Sequence, residues 1–377
     1  MKRIDRYLFK EILSPFLGGL FVLTIILLLN RVFELLDLII KKGLQILTVL
    51  EIFLLSLPFI LALTVPMAVL IGALVAYGRL AQDFEILALK SLGVSVRRTL
   101  YAPLLFATLV FGIMVLFNNY VLPESNHKLK NLMIDVRQKK PAIEIKKGIF
   151  NKIDNYLLYI RDKNERTGDI FDITLEEVVK KGVKTVIAEK GRIYSIGDEY
   201  LILELYDGEI HEATGVKKEE FRRIKFKKQI IKIPVDTKLV RQERTYRGDR
   251  EMNIRMLHEK IESFKNDLRT TSPTDSVRIG ILKRRINQLW VEIHKKFSIP
   301  FASIVFVLIG APLAIIVKKG GYGSAFGISF ILFTIYYVLL VGGEELAGRG
   351  VINAIPAMWF PNLFFLIIGI LLIKKVE

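Results

Sequence analysis

Residues 76–98 read AYGRLAQDFEILALKSLGVSVRR. This is a polar helix with a glycine-containing end, set between two apolar segments that are each long enough to span a bilayer. Alone, its pattern GRL-x-x-D-x-E-I-x-A-L-x-x-x-G-V-S describes an ordinary amphipathic loop. Its place, between the second and third spans on the Lys/Arg-rich side, makes it a candidate lever for a cytoplasmic partner.

Working outward, the flanking composition is that of a membrane protein with one large water-facing insert. The 377 residues are 52% hydrophobic, with a mean hydropathy of +0.39, and the apolar runs cluster at the two ends of the chain. The net charge of +17 raises nucleic acid as a partner. The basic residues are spread over the insert and the membrane edges, so anionic lipid is the more economical partner and no nucleic acid is expected. Without cysteine there is no disulfide framework and no thiolate metal site. No metal or cofactor is expected.

Toward the N-terminus, the basic start MKRIDRYLFKEIL runs into an apolar stretch from Pro15 to Asn30. It is too long for a signal peptide and lacks a small-residue cleavage site, so an uncleaved first span is predicted. The helix continues through Arg31, Glu34, Asp37, Lys41 and Lys42, which share an arc of roughly 140° at about 100° per residue. Two readings of this stripe stand. It snorkels and pairs at the interface, or it faces a cavity and meets a phosphorylated lipid head group.

The second span runs from about Val49 to Ala76, interrupted by Pro58 and Pro66, and the third from about Leu100 to Leu122. Residues 124–250 then turn β-rich, with runs such as TVIAEKGRIYSI, YLILELYDGEIHEA and FRRIKFKKQIIKI. Partial alternation and Val/Ile/Tyr content predict an antiparallel domain, a sandwich or jelly roll of five to eight strands. Its inward apolar positions form a core or a ligand groove. Residues 251–297 are helical and highly charged; His258-Glu259 lacks the second histidine of a zincin site. His294, with Glu292, Lys295 and Lys296, sits at a membrane entry in a structural or interfacial role. Three further spans follow, about Ile299–Val317, Ala325–Val341 and Ala354–Ile373. The KKGGYGS turn between the first two lacks the P-loop order, and no G-x-x-x-x-G-K-[ST] occurs in the chain.

Six spans put both termini on one face. The short segments of that face carry twelve cations, Lys2, Arg3, Arg6, Lys10, Arg79, Lys90, Arg97, Arg98, Lys318, Lys319, Lys374 and Lys375. The opposite short loops carry only Lys41, Lys42 and Arg349. This positive-inside bias predicts cytoplasmic termini, a cytoplasmic 76–98 segment and an outward, periplasmic β-domain. The predicted architecture is an α-helical membrane protein of six transmembrane helices (3+3) with a jelly-roll-like domain between helices 3 and 4. Its parts are 1–123 with a coupling helix at about 78–93, 124–250 for the β-domain, 251–297 for a helical connector and 298–377 for the last spans.

With this order of parts, the chain resembles the LptF/LptG (YjgP/YjgQ) family, permease subunits of the lipopolysaccharide-exporting ABC transporter. The resemblance rests on D-R-Y-L at the start, the 76–98 segment and the β-domain after span three. VEIHKKFSIP, GYGSAFG and P-A-M-W-F-P-N-L, with Trp359, Pro361 and Asn362, complete it. It implies a heterodimer with a second LptF/LptG-type permease and two copies of the cytoplasmic ATPase LptB. The coupling helix would dock on that ATPase through Arg79, Asp83, Phe84 and Glu85, Asp83 and Glu85 matching the family's acidic positions. First and fifth spans would form lateral gates for lipopolysaccharide, and the β-domain would hand lipid to LptC and the periplasmic LptA bridge. The family's acidic-then-dibasic end of span one corresponds to Asp37, Lys41 and Lys42, with the spacing one residue longer.

The residues ask for the same division of labour. A cavity for acyl chains gains roughly 0.8 kcal/mol per buried CH₂, so extraction needs coupled energy. This chain carries no ATPase motif and is expected to be a transport subunit, not an enzyme. Two other classes fit parts of the pattern: another ABC-type permease, acting in lipoprotein release or force transmission, and a membrane-anchored β-domain scaffold. The first commonly places its water-facing domain after the first of four spans. The second leaves the span-one stripe and the span-two prolines incidental. A secondary transporter would need an ionisable residue near the middle of a span.

Overall fold

The computed structural model describes residues 3–42, 46–138, 145–153, 155–164, 167–179, 182–196, 200–214, 220–234, 241, 243–318 and 321–377. They form two compact units, one of Met1–Leu35, Leu50–Leu129 and Arg244–Glu377, the other of Leu36–Val49 and Lys130–Glu243. The helices are α1 (Arg3–Lys42), α2 (Ile46–Gln82), α3 (Glu85–Ser91), α4 (Val96–Thr99), α5 (Tyr101–Leu116), α6 (Leu122–Gln138), α7 (Ile254–Thr270), α8 (Ser276–Val317), α9 (Tyr322–Gly348) and α10 (Ala354–Val376). A π-helical turn, Phe117–Val121, carries α5 into α6. Among the described residues, six stretches are long and apolar enough to cross a membrane, supplied by α1, α2, the α4-to-α6 run, α8, α9 and α10. The three-plus-three layout and the antiparallel insert between the third and fourth spans are as the sequence predicts.

In the helical unit α2 is the most enclosed span, and α1 and α9 are among the least covered. A helix that is apolar on every side must be surrounded, and α2 buries Leu70, Ile71, Leu74 and Tyr77 against Leu8 and Ile12 of α1 and Phe306 of α8. Small residues let these helices close up. A Cβ on Gly72 would lie 3.1 Å from the Ile12 carbonyl, and one on Gly310 would lie 2.9 Å from Leu70 Cδ1.

Prolines inside α8 and α10 free carbonyls four residues upstream, and α9 and α10 use them as contacts. Pro312 releases Leu308, whose carbonyl lies 3.0 Å from where a Gly369 Cβ would stand. Pro361 releases Ala357, which is approached in the same way by Gly343. Near Pro300 the Ser298 carbonyl accepts from Asn362 Nδ2 at 2.9 Å and from Tyr336 Oη at 3.2 Å. Asn362 of the W-x-P-N motif thereby binds span six to span four beside Pro300.

The second unit holds one sheet of six antiparallel strands in consecutive order: β1 (Phe150–Ile153), β2 (Tyr156–Lys163), β3 (Asp169–Val179), β4 (Gly182–Ile196), β5 (Tyr200–Thr214) and β6 (Glu220–Pro234). Inward side chains from all six strands, among them Ile153, Leu158, Ile173, Val186, Leu203 and Ile233, join in one cluster. The expected jelly-roll-like domain is present. A row of interrupted pairing crosses it at Arg161, Asp172, Glu189, Asp207 and Lys227. Asp172 and Asp207 both adopt φ of 50°, a left-handed conformation that aspartate tolerates better than most residues. The register is the same on both sides of the row: Ile160 faces Ile173 and Asp162 faces Phe171. The sheet therefore bends there without an inserted residue.

Candidate functional site

The 76–98 segment is not one helix. α2 continues to Gln82, the Asp83 and Phe84 N–H groups donate to the Arg79 and Ala81 carbonyls, and a short α3 begins at Glu85. Phe84 sits at φ 58°, a conformation that costs a side chain with a Cβ roughly 1–2 kcal/mol. Strain of this kind collects where a chain must present a particular surface. Phe84 and Leu87 are 67% and 62% exposed, while Ile86 between them is buried. α3 closes with Gly93 at φ 82°, Gly93 N–H donating to Lys90 and Val94 N–H to Leu89. This paired closure satisfies the last carbonyls of the helix. Ser95 Oγ then accepts from Arg98 N–H to start α4.

Both sides of this segment are tied to the helical unit. Tyr7 Oη of α1 donates to the Glu85 carboxylate at 2.8 Å. Arg79 donates to Tyr7 Oη at 2.9 Å and pairs with Glu11 at 2.6 Å. The carboxylate of Asp5, itself buried, pairs with Arg98 at 2.8 Å. On the other side Lys90 Nζ donates to the Val376 and Glu377 main-chain oxygens at 2.9 and 3.1 Å, and Arg97 pairs with the Glu377 side chain. The structure thus brings Arg79 and Glu85 together, and turns Phe84 and Asp83 outward. The product is a rigidly held apolar knob with acidic flanks, suited to a groove on another protein.

Of the span-one stripe, Arg31 is exposed on α1. Glu34, Asp37, Lys41 and Lys42 lie on the helical backbone, which runs to Lys42, but their side chains lie outside the described residues.

A second polar cluster stands where α5, α8 and α9 leave their apolar stretches. Lys295 Nζ is 2.8 Å from Glu344 and 3.2 Å from Glu292, and Arg250 pairs with the same two carboxylates at 3.2 and 3.6 Å. Burial works against the charge on Arg250, but Glu292 and Glu344 outweigh it and hold its pKa above the usual guanidinium value. Next to them, Lys296 is buried and donates to the Asn118 carbonyl at 2.9 Å, inside the π-helical turn. These groups line a cavity of about 130 Å³ with Phe59, Leu63 and Leu122. Three cations against two carboxylates leave it with one excess positive charge, in a pocket whose remaining lining is mostly apolar apart from Asn118, Asn126 and Tyr337. Such a site can receive an anionic head group whose chains lie in hydrocarbon.

Two of these positions carried a signal in sequence. Glu292 and Lys295 fall at i and i+3 in VEIHKKF, the spacing of neighbours on a helix. Arg250 and Glu344 come from distant segments, and no local spacing announces them. Nor does KK distinguish the buried Lys296 from its paired neighbour.

A family model described as "Lipopolysaccharide export system permease LptF/LptG" matches residues 6–375. The chain is similar to the lipopolysaccharide export system permease protein LptF of Escherichia coli K12, at 20% identity over 372 residues, covering 98% of this chain and 94% of the relative. The LptF proteins of Escherichia coli O157:H7 and Shigella flexneri match with the same identity and coverage.

Proposed function

Because the chain belongs to the LptF/LptG family of lipopolysaccharide export permeases, we propose that it is one of two paired permeases that extract lipopolysaccharide from the inner membrane under the drive of a separate ATPase. The observation that carries the proposal is the presentation of Phe84 and Leu87 on a segment clamped to α1 by Tyr7 and Arg79 and to α10 by Lys90. An apolar knob anchored on both sides passes a partner's motion to the spans instead of absorbing it. The partner is a cytoplasmic ATPase of the LptB kind, in two copies. ATP is hydrolysed there and not by this chain.

The charge bias of the short loops supports cytoplasmic termini and a periplasmic β-domain. On that orientation the Arg250–Lys295–Lys296 cluster and Arg31 lie at the outer-leaflet level, as head-group contacts for a polyanionic lipid. The thinly covered α1 and α9 are the surfaces for a second permease and for lateral entry of lipid. The six-stranded domain passes the lipid to LptC and the LptA bridge.

Affinity purification of the tagged chain in mild detergent tests this. The expected companions are a soluble ATPase and a second six-span permease. A Phe84→Asp/Leu87→Asp variant is expected to keep the permease and lose the ATPase. A native complex without any ATPase, or one that keeps it in the variant, would sink the proposal.

A further inference from the structure

A groove of about 350 Å³ opens between the third, fourth and sixth spans, away from the Arg250–Lys295–Lys296 cluster. Arg97 and Lys374 stand at one end of it, and Leu104, Leu308 and Ile370 line its length. Arg97 begins the third crossing and Lys374 closes the sixth, so the basic end lies where hydrocarbon gives way to head groups. Leu104 is seven residues beyond Arg97, roughly 10 Å along a helix at about 1.5 Å per residue. The groove thus runs from the head-group level into the acyl region.

Its walls are fixed. Gly369 packs against the Leu308 carbonyl, and the end of α10 is pinned by Lys90. Apolar lining alone selects nothing in a membrane, because lipid tails are as apolar as leucine. Selection comes from the rim. Arg97 gives one nitrogen to Glu377 and has further donors in its guanidinium fork. Lys374 has no ion-pair partner among the described residues.

We propose that this groove binds an anionic phospholipid of the adjacent leaflet, with the phosphate between Arg97 and Lys374 and one acyl chain over Leu104, Leu308 and Ile370. Naming that leaflet the cytoplasmic one rests on the orientation given above. The lipid site itself does not depend on export, so the two can fail separately.

The test uses the full chain with its co-purifying partners, exchanged into nanodiscs of phosphatidylcholine containing a minority of phosphatidylglycerol. Lipid retained after release is counted by native mass spectrometry. Phosphatidylglycerol is expected to be enriched over phosphatidylcholine. A cation near an anionic group is worth about fivefold in occupancy, so Arg97→Gln/Lys374→Gln should lower the enrichment roughly 25-fold. Lys374→Gln alone, which spares the Glu377 pair, should lower it roughly fivefold. Ile370→Trp, which fills the groove without changing charge, should abolish it. Soluble glycerophosphoglycerol should not compete. Equal retention of the two lipids, unchanged retention in Lys374→Gln and Ile370→Trp, or full competition by the soluble head group would each overturn the proposal.

Discussion

Gly343 of α9 lies against the main-chain carbonyl of Ala357 in α10, so close that a Cβ on Gly343 would stand 2.5 Å from that oxygen. The carbonyl is available because Pro361, four residues on, has no N–H to give it. A proline on one span and a glycine on the next therefore make one contact between them. A Cα–H donor beside a free carbonyl is a weak interaction that recurs where helices approach closely. The same pairing recurs at Pro312 and Gly369.

Gly343→Val is accordingly expected to destabilise the helical unit by about 1–3 kcal/mol, the usual penalty for forcing atoms into a packed contact. The neighbouring Gly342 meets nothing within 4 Å, and Gly342→Ala should be neutral. Thermal unfolding of the two variants in the same detergent separates contact from composition.

At the docking segment, Phe84→Ala and Leu87→Ala should each weaken ATPase binding about tenfold or more, from a burial worth roughly 1.5–3 kcal/mol per side chain. Glu85→Lys breaks the Tyr7 contact and should reduce turnover or assembly. Titration of the purified ATPase onto the permease pair reads the first effect, and ATP hydrolysis in the assembled complex reads the second. A fully coupled complex with Phe84→Ala would remove Phe84 from the docking role.

Lys41 and Lys42 reverse sign in a Lys41→Glu/Lys42→Glu variant. Lipid-stimulated ATP hydrolysis is expected to fall several-fold while the complex still assembles. Unchanged stimulation would leave the two lysines as interfacial anchors.

The bend of the sheet has its own test. Asp207→Val puts a β-branched side chain at φ 50° and should cost about 1–2 kcal/mol, whereas Asp207→Gly should be tolerated. Hydrogen exchange across Gly182–Pro234 reports the difference locally.

Acid should loosen the same strands. Hydrogen bonds from Thr167 and then Arg192 hold Asp169 below the ordinary carboxylate range, and Lys228 and Arg223 do the same for Glu204 and Glu209. A depressed carboxylate stabilises the folded state above its unfolded pKa and loses that contribution as pH falls through the folded value. Protection should hold above the usual carboxylate values of 3.8 for Asp and 4.5 for Glu and decline below them. All three groups are partly open to solvent, so added salt should shrink the effect. Exchange rates corrected for their intrinsic pH dependence provide the measurement.

Much of this architecture can be read from the chain, because a span or a strand is announced by a run of its own residues. YLILELYDGEIHEA alternates over most of its length and becomes β5, and the apolar stretch from Val49 to Ala76 falls within α2. The Gly93 closure is equally local. The break at Asp83–Phe84 is not, since neither glycine nor proline marks it and the surroundings impose the left-handed residue. The ends of α1 and α10 hold the segment through Tyr7 and Glu377, far away in sequence. The Arg250–Glu344 pair likewise depends on which helices become neighbours, which periodicity does not say.

The unbroken register across Asp172 and Asp207 constrains how this domain can vary in length. In the long strands that cross the bend, inward and outward side chains alternate on each side of it, so one residue added within a strand would turn the later side chains of that strand to the wrong face. Insertions and deletions in related chains should therefore gather in the turns between strands, or come as pairs within them.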